Sequence, residues 1–108
     1  MITVTMHTSQ EGLYDGFHID GHADGFEKDG EYDLICASVS AITLTIAAGL
    51  RDVLHMEGTF DSDFGYMDVH LDSPGDLRGQ ALIETMVNGL QEIDRQYPHH
   101  LKILDKKG

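Results

Sequence analysis

Two residues in this chain have the side chains and the surroundings of a nucleophile and its base. Cys36 is the sole cysteine of the 108 residues, and it stands at the start of an apolar-periodic stretch that predicts a helix. Free N–H groups and a partial positive charge at a helix N-terminus lower the pKa of a thiol and favour the thiolate. His22 lies fourteen residues upstream, between Gly21 and Ala23. A cysteine at a helix start and a histidine at a strand end, joined by one loop, can form a thiolate–imidazolium pair.

The hydrophobic pattern predicts the elements that position this pair. Ile2, Val4 and Met6 alternate along a first strand, and a second strand leads to His22 and pairs with the first as a hairpin. The predicted elements are strands over 1–8 and 14–22, a helix over 35–56, strands over 57–62 and 65–71, a helix over 76–96 and a strand over 101–104. This ββαββαβ order indicates one α+β domain over 1–108, a small sandwich of a mostly antiparallel sheet with two main helices.

Four residues near Cys36 are candidates for supporting roles. Asp33 stands at N-cap spacing before the predicted helix, and Ser38 and Ser40 lie on its first turns. The backbone N–H groups of Ala37 and Ser38 are candidate oxyanion donors, because donors fixed at a helix start can face the charge that develops on a scissile carbonyl. The plain alternative for both serines is solvation of a helix start.

The segment between the histidine and the cysteine is rich in glycine and acidic residues. This composition indicates a mobile surface loop over 24–32, of the kind that closes over a substrate. Its acidic side chains would attract a basic peptide. The candidate substrate-contacting residues are Asp24, Gly25, Phe26, Glu27, Asp29, Gly30 and Glu31.

Each candidate also has an interpretation without catalysis. Most free cysteines are small buried hydrophobes, and most of the seven histidines must be ordinary surface residues. Acidic and histidine side chains cluster at 18–24, but no HExxH or CxxC spacing is present, so we expect no structural or catalytic metal. The sequence has no glycine-rich phosphate loop, and no cofactor is expected.

The charge balance restricts the partners. Nineteen Asp and Glu against seven Lys and Arg give a formal net charge of −12 at pH 7. Nucleic-acid binding needs clustered positive charge, so this class is excluded, whereas a basic peptide would be attracted at long range. The plain alternative is that the charge only maintains solubility or adapts the protein to a salty cytoplasm.

Composition also gives an expected location. We expect no signal peptide, because the N-terminal residues have no basic n-region. No membrane contact is expected, since we find no stretch with the roughly 18 apolar residues of a membrane span. One cysteine cannot form an internal disulfide, so a reducing, cytoplasmic location is the simplest expectation.

Two motifs, in this order and in a domain of this length, resemble the ribosomal-processing cysteine proteases of Gram-positive and related bacteria. The first is Gly-His-Ala at 21–23, and the second is Asp-Leu-Ile-Cys-Ala-Ser-Val-Ser-Ala at 33–41. The resemblance continues through the helix and the later acidic strand–turn–helix section, so it spans nearly the whole chain.

The resemblance implies a homodimeric cytoplasmic endopeptidase that removes the N-terminal extension of a large-subunit ribosomal protein precursor. In that family the cut follows an aromatic residue in an apolar segment and precedes a lysine-rich one. The resemblance further implies a dyad of His22 and Cys36, with Asp33 orienting the pair or anchoring the loop. Two departures bear on substrate fit: the loop between the motifs is slightly longer, and Ser38 replaces a small apolar residue.

Two other functions remain open at this point. One is a non-catalytic dimeric module that holds a basic peptide, and the other is an enzyme that hydrolyses small esters or amides. The pH dependence of Cys36 alkylation separates an activated thiol from an ordinary one.

Overall fold

The computed structural model describes residues 1–21, 31–63 and 65–108. The strands are β1 (Ile2–Thr8), β2 (Tyr14–Asp20), β3 (Gly58–Asp63), β4 (Tyr66–Leu71) and β5 (Leu101–Lys107), and the helices are α1 (Glu31–Ala48) and α2 (Leu77–Gln96). The strands form one sheet in the order β3-β4-β2-β1-β5, in which each neighbouring pair is antiparallel except β1 with β5. The predicted ββαββαβ order and the mostly antiparallel sheet are confirmed.

Alternation along the strands explains which face of the sheet the helices cover. In β1, the side chains of Ile2, Val4 and Met6 are buried, while the residues between them are half-buried. Fully burying one such side chain contributes about 1.5–3 kcal/mol, so the apolar face holds the helices against the sheet. The core also contains Phe17, Ile19, Ile35, Val39, Ile46, Leu50, Met67, Val69, Leu71, Ile83, Met86 and Leu90.

The last strand is longer than the sequence predicts. β5 runs to Lys107 and pairs in parallel with the whole of β1, from Ile2 opposite Leu101 to Thr8 opposite Lys107. Its second half is exposed and polar. Local hydrophobicity therefore does not indicate it, and pairing with β1 fixes it as a strand.

Helix α1 begins earlier than the sequence predicts. It starts at Glu31 and not near residue 35, so the prediction of Asp33 as its N-cap is wrong: Asp33 is the third helical residue. β2 likewise ends at Asp20, before the predicted end at residue 22. Acidic residues are favourable in a first helical turn because of the helix dipole, so an acidic stretch fits a helix start as well as a loop.

A π-helical turn at Gly49–Val53 follows α1 and shortens its apolar stripe. The N–H of Leu54 donates to the carbonyl of Gly49, five residues back, over 2.9 Å. This wider turn breaks the 3.6-residue period. Val53, which the pattern places on the buried stripe, is consequently 73% exposed, whereas Leu50 is fully buried.

By length and composition alone, the segment Leu34–Val53 could cross a membrane. The expectation that no segment passes this test is therefore wrong. The same segment supplies Ile35, Val39, Ile46 and Leu50 to the core, and a core helix passes the test equally. The segment gives only weak support for a membrane span.

Helix α2 begins where the sequence predicts. The Asp76 carboxylate accepts a hydrogen bond from the N–H of Arg78 over 2.9 Å, and the Arg78 side chain and then its N–H lower the pKa of Asp76 to about 2. The Gln80 side chain joins the helix to the sheet. Its Oε1 accepts a hydrogen bond from the N–H of Tyr14 over 2.9 Å, and its Nε2 donates to the carbonyl of Tyr14 over 2.8 Å. Tyr97, predicted on the buried stripe, is partly exposed. It is the C-cap of α2 and its backbone is not helical, so its side chain does not continue the buried face of the helix.

Candidate active site

A cavity of about 540 Å³ opens between the first half of α1 and one end of the sheet. Buried core residues form its inner wall, and the remaining lining residues include polar side chains. Binding sites for small molecules and peptides are commonly concave and mostly apolar, with a few polar groups. The helix contributes Cys36, Val39, Ser40, Thr43 and Leu44, and the sheet side contributes Ile2, Ile19, Gly21, Ser62, Asp63, Gly65, Tyr66 and Met67.

Cys36 lies in the wall of this cavity. It is the sixth residue of α1, half-buried, and packed against the core. The prediction that places it in the first helical turn is therefore wrong by one turn. Because the influence of a helix dipole falls off within the first turn, a thiolate at this position needs a neighbouring cation for most of its stabilisation.

The other helix candidates do not all reach the cavity. Ser40 lines it one turn after Cys36, on the same side of the helix, whereas Ala37 and Ser38 do not line it. The hydroxyl of Ser38 donates to the carbonyl of Leu34 over 2.9 Å. In a helix that begins more than a turn before Cys36, the N–H groups of Ala37 and Ser38 bond to carbonyls four residues back. The helix register therefore does not support the predicted oxyanion hole.

The predicted partner of the cysteine lies outside the described residues. His22 is one such residue, the loop candidates at 24–30 are others, and the side chain of Asp33 is also outside the described part. Glu31, the last of the predicted loop residues, belongs to α1. The described chain reaches the cavity at Gly21, the residue next to His22 in the sequence. The pairing of this histidine with the cysteine stays a prediction.

Gly21 occupies a position where a side chain does not fit. Its φ is +137°, and an added Cβ would lie 2.4 Å from the carbonyl oxygen of Met1 and 2.8 Å from the Cα of Ile2. Its N–H donates to the carbonyl of Gly65 over 3.1 Å, which ties the end of β2 to the β3–β4 turn. The glycine of the Gly-His-Ala motif thus allows three backbone segments to meet at the cavity.

Sequence reasoning missed most of the cavity wall. Thr43 and Leu44 lie two helical turns after Cys36, and helical spacing from the cysteine is a signal that could have found them. Ser62 and Tyr66 reach the cavity because β4 pairs with both β3 and β2. No local pattern indicates such a long-range arrangement.

A second histidine has a carboxylate partner but faces the other way. The Nδ1 of His18 lies 3.1 Å from the Oδ1 of Asp68, and its ring meets that of Tyr66 edge-on at 5.2 Å. Successive strand residues point to opposite faces. Since Ile19 lines the cavity, His18 points to the face that the helices leave uncovered and is a poor partner for Cys36.

In the described ranges 1–21, 31–63 and 65–108, no group of three or more His, Cys, Asp or Glu side chains is arranged to hold a metal ion. The sequence cluster at 18–24 extends beyond these ranges.

A half-buried cysteine in the wall of a mostly apolar cavity is accessible to a bound molecule, as a cysteine nucleophile must be. Residues 1–102 match the family model described as cysteine protease Prp. The chain belongs to this family and is a cysteine peptidase.

Two relatives are similar over almost their whole length. The chain is 30% identical over 111 residues to the ribosomal processing cysteine protease Prp of Bacillus subtilis (strain 168). This alignment covers 95% of this chain and 96% of the relative. The chain is 28% identical over 108 residues to the ribosomal processing cysteine protease Prp of Staphylococcus aureus (strain Mu50 / ATCC 700699). This alignment covers 95% of this chain and 97% of the relative.

Two crystal structures of the essential ribosomal processing protease Prp from S. aureus have the same fold. The one in complex with a substrate peptide has a TM-score of 0.87 at 24% identity, and the one with a covalently linked product peptide has a TM-score of 0.85 at 25% identity. Each comparison covers 98% of this chain and 100% of the other.

Proposed function

We propose that this cysteine peptidase removes the N-terminal extension of a large-subunit ribosomal protein precursor, with Cys36 as nucleophile and His22 as base. The observation that carries the proposal is the position of Cys36 in the wall of the 540 Å³ cavity. The relatives named as ribosomal processing proteases support the substrate class. The peptide complexes of the S. aureus protein support a peptide in the cavity.

The proposed reaction has two stages. The thiolate of Cys36 attacks the scissile carbonyl carbon, and the C–N bond breaks as His22 donates a proton to the leaving amine. This step leaves a thioester on the sulfur. His22 then takes a proton from water, and the hydroxide attacks the thioester carbon. The C–S bond breaks, which releases the carboxylic acid and restores the thiolate of Cys36 beside the protonated His22.

The structure indicates how the cavity would assist this reaction. Its apolar wall, with Ile2, Val39 and Met67, suits the apolar or aromatic residue before the cut. The hydroxyl of Ser40, one helical turn from Cys36, takes the place of the helix N–H groups as a candidate oxyanion donor. The proposed role of Asp33 is to orient the dyad or anchor the loop.

Charge would bring the substrate to the cavity. The net charge of −12 and the acidic residues at 24–31 would attract the lysine-rich segment after the cut. We also propose that the protein is a cytoplasmic homodimer, in which an apolar helix face or a strand edge forms the interface. Sedimentation equilibrium tests the dimer: a single species of monomer mass at micromolar concentration would contradict it.

Mass spectrometry of the host's precursor ribosomal protein tests the proposal. We expect one cut after an aromatic residue with the wild type, and none with Cys36→Ala or His22→Ala. His18→Ala is the matched control, because it removes a histidine from the opposite face of the sheet. Cleavage by Cys36→Ala at the wild-type rate would contradict the nucleophile.

The same assay separates the remaining alternative functions. An intact precursor together with turnover of small esters would replace the ribosomal substrate with a small acyl compound. Membership of a cysteine protease family disfavours the non-catalytic binding module.

A further inference from the structure

Helix α1 is free of charge along nearly its whole length. Residues 34–50 include no charged side chain, although 24% of the chain is charged. One side of the helix packs on the sheet through Ile35, Val39 and Ile46. A helix that is apolar all round is normally buried all round, yet only 22% of the most apolar stretch of Leu34–Val53 is buried. The side of α1 that faces away from the sheet is therefore an apolar surface that a partner can cover.

The exposed residues of this side follow the spacing of a coiled coil. Five apolar residues recur at alternating steps of three and four, and we call them the outer stripe: Leu34, Ala37, Ala41, Leu44 and Ala48. Leu34 is 60% exposed and Leu44 50% exposed, Ala37 and Ala41 are exposed, and Ala48 is half-buried. Apolar residues at the first and fourth positions of a heptad form the seam along which two helices pack. The outer stripe thus has the form of a seam for a second helix.

Large and small side chains are distributed along the outer stripe so that it complements itself. When two copies of α1 cross in opposite directions beside Ala41, Leu34 of one copy lies opposite Ala48 of the other, because each is seven residues from the crossing point. Leu44 likewise lies opposite the small side chains at 37 and 38. A two-fold axis joins the same surface of both partners, and large residues that face small ones interdigitate. This surface therefore fits a second copy of the chain.

Charge also favours a second copy over a membrane. Two chains of net charge −12 repel each other, so they can approach most easily through a surface that carries no charge. A helix that lies on an anionic membrane needs a polar face rich in Lys and Arg. The first basic residue after the outer stripe is Arg51, and its guanidinium is paired with the carboxylate of Asp52.

The length of the outer stripe indicates how strong the contact is. From Leu34 to Ala48 the helix rises about 21 Å. A pair of helices in contact over this length is at the small end of specific interfaces, which bury about 800 Å² per partner. We therefore expect a dimer that dissociates reversibly on dilution.

We propose that the outer stripe of α1 is the contact surface between two copies of this chain, packed as a two-fold pair of helices. This inference rests on the homodimer proposed above and selects the helix face over a strand edge. Leu44 belongs to the outer stripe and also lines the cavity that contains Cys36. The partner copy would therefore stand at the rim of that cavity.

Sedimentation velocity of two glutamate variants tests this interface. Ala41→Glu places a carboxylate in the middle of the outer stripe, at a position that lines neither cavity, and in a two-fold pair the two carboxylates face each other. Ala81→Glu is the matched control, because it makes the same change at an exposed position of α2. We expect Ala41→Glu to raise the dissociation constant of the dimer about 100-fold, since like charges that face each other across an interface are strongly unfavourable. Ala81→Glu should dimerise as the wild type does.

A mixture of opposite charges makes the test independent of the folding of one variant. Ala41→Lys should be as monomeric as Ala41→Glu, and an equimolar mixture of the two should form a mixed dimer, which native mass spectrometry identifies by its mass. A mixture that stays monomeric would overturn the proposed interface.

The remaining outcomes separate the interface from the dimer itself. A wild-type dimer that Ala41→Glu leaves intact would overturn the interface and leave the proposed homodimer standing, whereas a wild-type monomer would contradict both. Binding of the monomeric wild type to phosphatidylcholine vesicles would overturn the interface and assign the outer stripe to a membrane. Loss of precursor-peptide binding by an Ala41→Glu protein that is still dimeric would overturn it and assign the outer stripe to the substrate.

Discussion

Replacing Gly21 by alanine tests whether the close approach of strands at the cavity is as tight as the structure shows. Two effects destabilise Gly21→Ala. The φ of +137° disfavours a side chain, and the added Cβ would lie 2.4 and 2.8 Å from backbone atoms of Met1 and Ile2. Ile2 cannot easily move away, because its side chain is buried and its N–H donates a hydrogen bond to the backbone carbonyl of His100 over 3.0 Å. Backbone strain costs about 1–3 kcal/mol, and overpacking against fixed atoms costs a similar amount.

We expect Gly21→Ala to lower the free energy of unfolding by about 3 kcal/mol, a large part of the ~5–15 kcal/mol of a typical domain. Two other glycines separate the contributions. Gly12 has φ of +84° with no atom within 4 Å of an added Cβ, so Gly12→Ala isolates the strain, about 1–2 kcal/mol. Gly75 has neither feature, and Gly75→Ala should stay within about 0.5 kcal/mol of the wild type.

Urea unfolding followed by circular dichroism measures all three variants under one set of conditions. The structure predicts the order of destabilisation Gly21→Ala, then Gly12→Ala, then Gly75→Ala. A Gly21→Ala protein as stable as Gly75→Ala would refute the reasoning, since it would mean that the Met1–Ile2 backbone does not confine this position.

Three further predictions concern titration and charge. Alkylation of Cys36 by iodoacetamide should reach half its maximal rate below about pH 8.5 in the wild type and at higher pH in His22→Ala; identical profiles would contradict activation by the histidine. The pKa of Asp76 is lowered from 3.8 to about 2 by Arg78, so the carboxylate stabilises the folded chain above about pH 4 and this contribution is lost as the pH falls through 2. The difference in urea midpoint between wild type and Asp76→Asn should therefore shrink between pH 4 and 2, and a constant difference would argue against the Arg78 interaction. Finally, kcat/KM for a lysine-containing peptide should fall several-fold from about 0.05 to about 0.5 M salt, while a matched glutamine peptide responds little; equal responses would remove steering by the acidic 24–31 segment.

Local sequence patterns predicted the elements whose stability is local. The alternation of Ile2, Val4 and Met6 identified β1, and the Asp76 cap identified the start of α2. The start of α1 was missed because an acidic stretch suits a helix N-terminus and a loop alike. The π-helical turn at 49–53 was missed because the apolar residues continue a regular helical period through it.

The cavity was predictable only in part, for a physical reason. Cys36 could be selected from its residue type and from the helix that follows it. The sheet wall could not, because Ser62 and Tyr66 reach the cavity through strand pairing between distant segments. The role of the Gly21 position was also hidden, since close approach to Met1 and Ile2 depends on the packing of β1 beside β2.

The most direct test of the central claim is to trap the covalent intermediate. The protein is mixed with precursor peptide, quenched with acid within one turnover, and examined by intact-mass and peptide mass spectrometry. We expect a thioester of the N-terminal fragment on Cys36, absent from Cys36→Ala. Rapid cleavage with no adduct on the wild-type protein, and cleavage that persists in Cys36→Ala, would contradict a cysteine nucleophile at this position.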